Sequence, residues 1–402
     1  MHNQPVIDLR DHAGTAASRP LRVLHVAQPN VAGVTRCVAE LALHQHRHGW
    51  QVVVAQPADA ETDARLRSAG VTVRPWTASR HPLHGLRTEY RSLQRIVAET
   101  DPDIVTLHSS KAALVGRLVL RGSRVTVVLP HAWSFLAARG PMRHAAAWWE
   151  RFAQRWTNSI VAVGEGEVAA GLRRRIYGPY ALVSNPASTI DAPWGAHRSR
   201  EEARASLGVA NHVPLLVCVG RLCEQKGQDV LLRAWPAVRA AVPDAELVLI
   251  GDGPWQQQLE DQAAGDPSVR FLGWLADSRP WLAAADVVTL PSRWEGLSLV
   301  QLEAMAAARS LVMTEVAGSE LVRRAGAGAV VPLEDADSLA AALVERLQDR
   351  HGADAEGRCG AEYVQRHHHP RAVGEAFGAH LVRAHAFGRA GAPLISLDGS
   401  RS

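Results

Sequence analysis

Lysine is almost missing from this chain: of 44 basic residues, only Lys111 and Lys226 are lysines. Arginine supplies the bulk of the positive charge, so a retained lysine marks a place that needs a compact ammonium instead of a planar fork. Cysteine is scarce as well. Cys37, Cys218, Cys223 and Cys359 show no metal-ligand spacing, because Cys218 and Cys223 lie in or beside an expected strand with no second pair to complete a site. That usage suits a reducing cytoplasm. No stretch reaches the ~18 consecutive apolar residues of a membrane span. Residues 1–19 are polar, with Asp8 and Asp11 and no apolar run of signal-peptide length. The full G-x-G-x-x-G fingerprint of dinucleotide binders is absent, and no helix-turn-helix, zinc finger or RNA-binding aromatic motif accompanies the dispersed arginines. Nucleic acid is therefore not an expected partner. The expected location is the cytoplasm, at most peripheral at the inner face of the cell membrane.

At 402 residues, 47% of them apolar, the chain exceeds one ordinary core and can fill two. Charge is unevenly shared. Residues 1–190 carry 23 Lys plus Arg against 13 Asp plus Glu, a formal +10, and residues 191–402 carry 21 against 27, or −6. A basic first half points to an anionic partner there, a membrane surface or a lipid diphosphate.

Apolar runs of strand length alternate with helical stretches, which describes an α/β architecture. Strands are expected at residues 21–28, 50–57, 70–76, 104–107, up to 129, 159–167, 181–183, 213–219, 246–250, 268–275 and from 287. Helices are expected at 34–46, 60–68, 85–99, 111–120, 279–285, from 298, 336–350 and 371–387. The domain reading is a disordered tail (1–19), a first Rossmann-like domain (20–186), a linker marked by Pro193 and Gly195 (187–200), a second Rossmann-like domain (201–370), a closing helix (371–388) and a flexible tail (389–402).

The most informative stretch is VVTLPSRWEGLSLVQLEAMAAA, residues 287–308: strand, loop, helix. Glu295 falls in the loop, and Glu303, eight residues on, falls about two turns along the helix at ~3.6 residues per turn, so both can face one crevice. A crevice outside the carboxyl end of a parallel strand, against the positive end of a helix, is where α/β proteins hold phosphorylated ligands. A loop Glu can hold sugar hydroxyls, and a Glu deeper on the helix can accept both hydroxyls of a ribose. GRLCEQKG, residues 220–227, is the second motif. Arg221 and Lys226 follow a buried strand, sit five apart in a loop closed by Gly227, and could converge on one diphosphate, the Arg by paired hydrogen bonds and the Lys as a point charge. In the first half Gly33 opens a helix after the first strand, and His131 emerges where a strand ends at Leu129.

Residues 291–306, with seven residues between Glu295 and Glu303, resemble the paired-glutamate signature of glycosyltransferase family 4, whose members are retaining, nucleotide-sugar-dependent enzymes of the GT-B fold. The resemblance runs from Leu21 to about Phe387. It implies two doubly wound domains facing an interdomain cleft, donor mainly on the second and acceptor mainly on the first. It implies that Glu295 positions the sugar beside His131, that Glu303 takes the ribose, and that Arg221 and Lys226 stabilise the leaving diphosphate, making Glu295, His131, Arg221 and Lys226 the catalytic set. Gly33, Leu272, Gly273, Trp274, Gly296, Leu297 and Ser298 complete the donor site, with Leu272 to Trp274 at the nucleotide base. The sequence departs from the family at Ala32, where a Gly-Gly pair is usual, and at Gly164, which replaces the Ser of a V-S-E string. No metal and no cofactor is expected; the nucleoside diphosphate sugar is a co-substrate. The D-x-D of Asp101 and Asp103 precedes its strand and carries Pro102, so it reads as a helix-to-strand loop, not a cation site. His367, His368 and His369 are consecutive and point in different directions, which excludes an easy shared site.

The expected activity is transfer from a nucleoside diphosphate sugar, a UDP-sugar favoured and GDP-mannose the other candidate, to a hydroxyl of a lipid-linked glycan or polysaccharide intermediate. Glycosylation of a small natural product, nucleotide-sugar 2-epimerisation and a non-catalytic scaffold are the alternatives. On a helical wheel, residues 143–156 place Trp148, Trp149, Phe152 and Trp156 on one side, flanked by Arg143, Arg151 and Arg155. That pattern suits either core packing or peripheral membrane contact through the first domain.

Overall fold

The computed structural model describes residues 19–28, 33–79, 85–187 and 199–390. The expected tails, most of the linker with Pro193 and Gly195, and the loop containing Ala32 lie outside the described residues. The chain forms two compact units, Met1–Pro186 with Pro370–Ser402, and Ala187–His369.

The first unit alternates strand and helix: β1 (Arg22–Ala27), α1 (Gly33–Arg47), β2 (Gln51–Gln56), α2 (Ala60–Ser68), β3 (Thr72–Pro75), α3 (Leu86–Thr100), β4 (Ile104–His108), α4 (Ser110–Leu120), β5 (Val125–Leu129), α5 (Ser134–Ala137), α6 (Gly140–Ala153), β6 (Ser159–Ala162), α7 (Glu165–Arg173) and β7 (Tyr180–Leu182). Its sheet is parallel, in the order β3-β2-β1-β4-β5-β6-β7. The second unit runs α8 (Arg200–Leu207), β8 (Leu215–Val219), α9 (Gln228–Ala241), β9 (Glu246–Ile250), α10 (Gln256–Ala263), β10 (Val269–Phe271), α11 (Arg279–Ala284), β11 (Val287–Leu290), α12 (Leu299–Ala306), β12 (Ser310–Thr314), α13 (Glu320–Ala325), β13 (Gly328–Val331), α14 (Ala336–Gln348) and α15 (Arg350–His367). Its parallel sheet has the order β10-β9-β8-β11-β12-β13. The last helix, α16 (Pro370–Ala390), packs on α1 in the first unit.

Both sheets reverse their winding beside the first strand, between β1 and β4 and between β8 and β11. The loops at the carboxyl ends of those strands diverge and leave a crevice, the place where doubly wound sheets bind ligands. The buried strands read as continuous apolar runs because helices cover both faces. In the second unit Trp235 lies fully buried among Leu216, Leu247 and Leu339, its indole N–H donating to Ser268 Oγ at 3.0 Å.

Several expectations need correction. The strand expected over 159–167 stops at Ala162, and Glu165 already begins α7. Glu165 and Glu167 occupy the first turn of that helix, where acidic side chains complement the dipole. The helix after Glu295 starts only at Leu299, so Glu303 is its fifth residue, little more than one turn in. An 18-residue helix, α15, lies where sequence suggested none. The Asp101–Asp103 pair is a helix-to-strand loop as expected, with Asp101 ion-paired to Arg22 and Arg124, and Asp103 to Arg19 and Arg22.

Candidate functional site

In the second unit the site is assembled by two loops, one leaving β8 and one leaving β11. The first passes Gly220 and Arg221, makes a 3-10 turn at Glu224–Lys226, and reaches Gly227 at φ +65°. A Cβ on Gly227 would lie 2.0 Å from the Pro291 carbonyl oxygen, so only glycine lets the two loops touch here. Cross-bonds fix the contact. The Arg293 amide donates to Gln225 O at 2.7 Å, and Gln225 Nε2 donates to Trp294 O at 3.0 Å. The Arg293 guanidinium donates to both Asp229 carboxylate oxygens, at 2.8 and 2.7 Å, to Glu224 O at 2.8 Å, and to Glu334. Its hydrogen bonds to Asp229 hold the Arg293 pKa above the ordinary value.

This clamp brings together two of the residues singled out from sequence. Lys226 Nζ donates to Glu295 Oε1 in a direct ion pair, and Ser292 Oγ donates to the same oxygen at 2.9 Å. Ser292 is held in turn by its carbonyl, which accepts from Thr314 Oγ1. Arg221 lies in the same loop with its side chain exposed, its carbonyl accepting from Gln228 Nε2 at 3.1 Å. Gly296 stays close to the next loop: a Cβ on Gly318, at φ +91°, would lie 2.5 Å from the Gly296 oxygen. Leu297 and Ser298 are buried beside it, Ser298 directly preceding α12, and Glu303 is buried on that helix. Leu272, Gly273 and Trp274 follow β10. The Gly273 carbonyl accepts from Gly251 N at 2.8 Å, and Trp274 stands exposed. These residues therefore share the carboxyl edge of one sheet, though β10 lies two strands from β8.

In the first unit Gly33 is the first residue of α1. His131 follows β5 and has an unusual backbone, since it and Ala132 both take positive φ, at 49° and 82°. Glu167 holds that turn, its carboxylate accepting from Ala132 N at 2.8 Å and Val163 N at 3.0 Å, while its carbonyl accepts from Trp133 Nε1 at 2.8 Å. Burial pushes the Glu167 carboxyl up to about 7, against the two backbone N–H groups that lower it. The His131 ring is within hydrogen-bond distance of His108, Nε2 to Nδ1 at 3.2 Å, and burial lowers its pKa to about 4, so it is neutral near pH 7. His108, Glu167, Ser292, Asp229 and Arg293 were not singled out from sequence. For His108, Ser292 and Arg293 the available signal was a polar residue at or just past the end of an apolar strand.

The aromatic helix is α6 and the turn after it. Trp148 stacks on Phe152 with centroids 5.3 Å apart, and Arg155 lies over the Phe152 ring at 3.8 Å. Trp148 and Met142 are exposed. Trp133 and Phe135, which follow His131 in sequence, are buried and stacked. Among the described residues no helix is long and apolar enough to cross a membrane, and no group of three His, Cys, Asp or Glu is arranged to hold a metal ion.

Two family models match: a glycosyl transferase 4-like domain over residues 32–186, and glycosyl transferases group 1 over residues 213–349. The chain is 31% identical over 383 residues to the GDP-mannose-dependent alpha-(1-6)-phosphatidylinositol monomannoside mannosyltransferase of Mycobacterium tuberculosis, covering 86% of this chain and 94% of that one. It is 26% identical to the UDP-Gal:alpha-D-GlcNAc-diphosphoundecaprenol alpha-1,3-galactosyltransferase of Escherichia coli, over 64% of this chain and 70% of that one. HepE of Anabaena, solved with UDP and glucose, superposes with a TM-score of 0.74 over 90% of this chain and 100% of its own at 19% identity, a likeness of fold. The strand orders, the two matched regions and the near full-length relative agree: the chain belongs to glycosyltransferase family 4, adopts the GT-B fold, and is a nucleotide-sugar-dependent glycosyltransferase.

Proposed function

We propose that this enzyme transfers a hexosyl group, with retention, from a nucleoside diphosphate sugar to a hydroxyl of a lipid-carried acceptor, and that GDP-mannose is the first donor to test. The observation that carries the reading is the Lys226–Glu295 pair clamped at the β8/β11 crevice. An arriving diphosphate offers Lys226 a better partner than Glu295, and Glu295, released, accepts hydrogen bonds from the sugar. Arg221, exposed in the same loop, adds a second cation. As the C1–O bond to the diphosphate breaks, the charge developing on the leaving oxygen meets Lys226 and Arg221. The acceptor oxygen bonds to C1 on the same face, and its proton passes to the leaving phosphate oxygen. Glu303 takes the ribose hydroxyls, Trp274 and its neighbours take the base, Gly33 lets α1 approach the diphosphate, and His131 hydrogen-bonds the reacting sugar.

The lipid-carried acceptor is supported by the composition of the exposed side chains over residues 139–182. Met142, Trp148, Leu172, Tyr177 and Leu182 are exposed there. Over the same span Arg139, Arg143, Arg151, Arg155, Arg173 and Arg175 are exposed, with Glu165 the only exposed acid. Aromatic and basic side chains together suit an anionic lipid interface. The Mycobacterium tuberculosis relative, by its name, acts on a phosphatidylinositol mannoside, and it is the reason GDP-mannose leads. The test incubates the purified chain with GDP-mannose or UDP-sugars and a polar-lipid extract. Release of one nucleoside diphosphate that requires the lipid, with an axially linked glycolipid product, supports the proposal. Donor turnover on water-soluble acceptors alone would overturn the acceptor assignment.

A further inference from the structure

The interior of the first sheet is more polar than a core requires. His25 on β1 and Thr106 and His108 on β4 lie on one sheet face, because His25 pairs in register with Thr106 and Ala27 with His108. Val23, Ile104, Val127 and Phe377 make the rest of that face apolar. Valine or leucine could fill the three positions without the cost of burying polar groups. His25, Thr106 and His108 are nevertheless fully buried, and Gln45 of α1 is nearly so.

These groups join end to end with His131. His131 Nε2 lies 3.2 Å from His108 Nδ1, His108 Nε2 lies 3.1 Å from His25 Nδ1, and His25 Nε2 lies 2.9 Å from Gln45 Oε1. Thr106 Oγ1 bridges the middle gap, 2.8 Å from His25 Nδ1 and 3.2 Å from His108 Nε2. The rings are close to parallel, at 28° and 20°. Burial lowers His25 and His131 to about 4 and His108 further, so all three are neutral near pH 7.

A neutral imidazole has one N–H and one lone pair, so fixing the proton at one end of such a chain fixes every ring. With Gln45 Oε1 accepting, His25 is protonated at Nε2 and its Nδ1 accepts. His108 is then protonated at Nε2, donating to His25 Nδ1 or to Thr106 Oγ1, whose own hydroxyl donates to His25 Nδ1. His108 Nδ1 accepts from His131 Nε2–H. We propose that Gln45, acting through His25 and His108, is a positioning residue that holds His131 in the Nε2–H tautomer, so that Nδ1 is a fixed acceptor for a substrate hydroxyl. Turning the Gln45 amide would reverse every proton, so this one side chain selects between two states of the relay. The inference rests on the reading of His131 as the residue that touches the reacting sugar.

The test is a two-bond 1H–15N correlation spectrum of the full chain at pH 7 with 15N-labelled histidine, His131 being assigned from the H131A spectrum. The expected result is an unprotonated Nδ1 and a protonated Nε2 on His131, and a mixture of tautomers in the isosteric variant Q45M. Donor kcat/KM in Q45M should fall by the fraction of the tautomer lost, about twofold when the two become equal, because only the fraction with Nδ1 unprotonated accepts the substrate hydroxyl. A wild-type His131 protonated at Nδ1, or a Q45M spectrum with the His131 tautomer unmoved, overturns the proposal; the wild-type spectrum decides even where Q45M does not fold. Full turnover in H131A with the expected spectra would overturn the sugar-contact reading and leave the relay standing.

Discussion

Replacing Lys226 with methionine keeps most of the stem and removes the ammonium. Glu295 is then left 8% exposed with Ser292 Oγ as its remaining donor among the described residues. Stranding one member of a fully buried pair costs about 3–5 kcal/mol. The Lys226 and Glu295 side chains keep 17% and 10% of their exposure, so water reaches them and the expected cost is nearer ~2 kcal/mol. In a unit of this size that lowers Tm by about 4–8 °C. E295Q strands the ammonium instead, which has more water, and should cost about 1 kcal/mol.

The double variant K226M/E295Q separates the two roles of the pair. It has no stranded charge, so its stability should recover by about 1–2 kcal/mol relative to the sum of the single changes. On the proposed reading turnover should not recover, because the diphosphate would lack its cation and the sugar its carboxylate; each variant should fall by about 10²–10³ in kcat/KM. Thermal melts and donor-turnover assays on the four proteins give both numbers. Additive melting temperatures would refute a coupled pair, and turnover that recovers with stability would refute the catalytic reading.

The two loops of the second unit were legible because each is a local stretch: GRLCEQKG leaves β8, and the string around Glu295 leaves β11 and runs into α12. The Lys226–Glu295 contact was not, since it joins residues 69 apart and exists because the crossover sets β11 beside β8. The histidine relay was hidden for the same reason. His25 and His108 each interrupt an apolar strand, a visible signal, but their meeting depends on β1 pairing with β4. Helix α15 was obscured by Gly352, Gly357 and Gly360, which weaken a helical reading. Two of these glycines serve packing. A Cβ on Gly357 would lie 2.1 Å from the Ala308 carbonyl oxygen, and one on Gly360 would lie 3.1 Å from Ala327 Cβ. Tertiary contact, not local propensity, chose those residues.

G227A puts a Cβ into the Pro291 carbonyl at a positive-φ position, so it should cost more than ~2 kcal/mol and abolish turnover, and a wild-type melt would count against the loop clamp. K111M strands Glu89 in a 2.8 Å pair whose side chains are 5% and 3% exposed, and the urea midpoint should drop by the equivalent of about 3–5 kcal/mol. Acid should weaken the first unit selectively. His25, His131 and His380 have folded pKa values lowered to about 4, and that of His108 is lowered further, so the unfolded chain binds more protons than the folded one below pH 6.5. Each of these groups makes stability fall by up to about 1.4 kcal/mol per pH unit between 6.5 and 4, while Glu167, raised to about 7, has the opposite slope between 4.5 and 7. Urea melts flat between pH 7 and pH 5 would refute this. Ionic strength should separate lipid binding from donor binding. The exposed arginines of residues 139–175 each contribute about 1 kcal/mol at an anionic surface, and the screening length shrinks from roughly 8 Å at 0.15 M to roughly 3 Å at 1 M salt. On the proposed reading Lys226 meets the diphosphate with its side chain only 17% exposed, where screening is weaker. Co-sedimentation with anionic vesicles should therefore vanish at 1 M salt while the nucleotide-induced rise in Tm persists. A vesicle interaction that survives 1 M salt would show that the exposed aromatics carry it without the arginines.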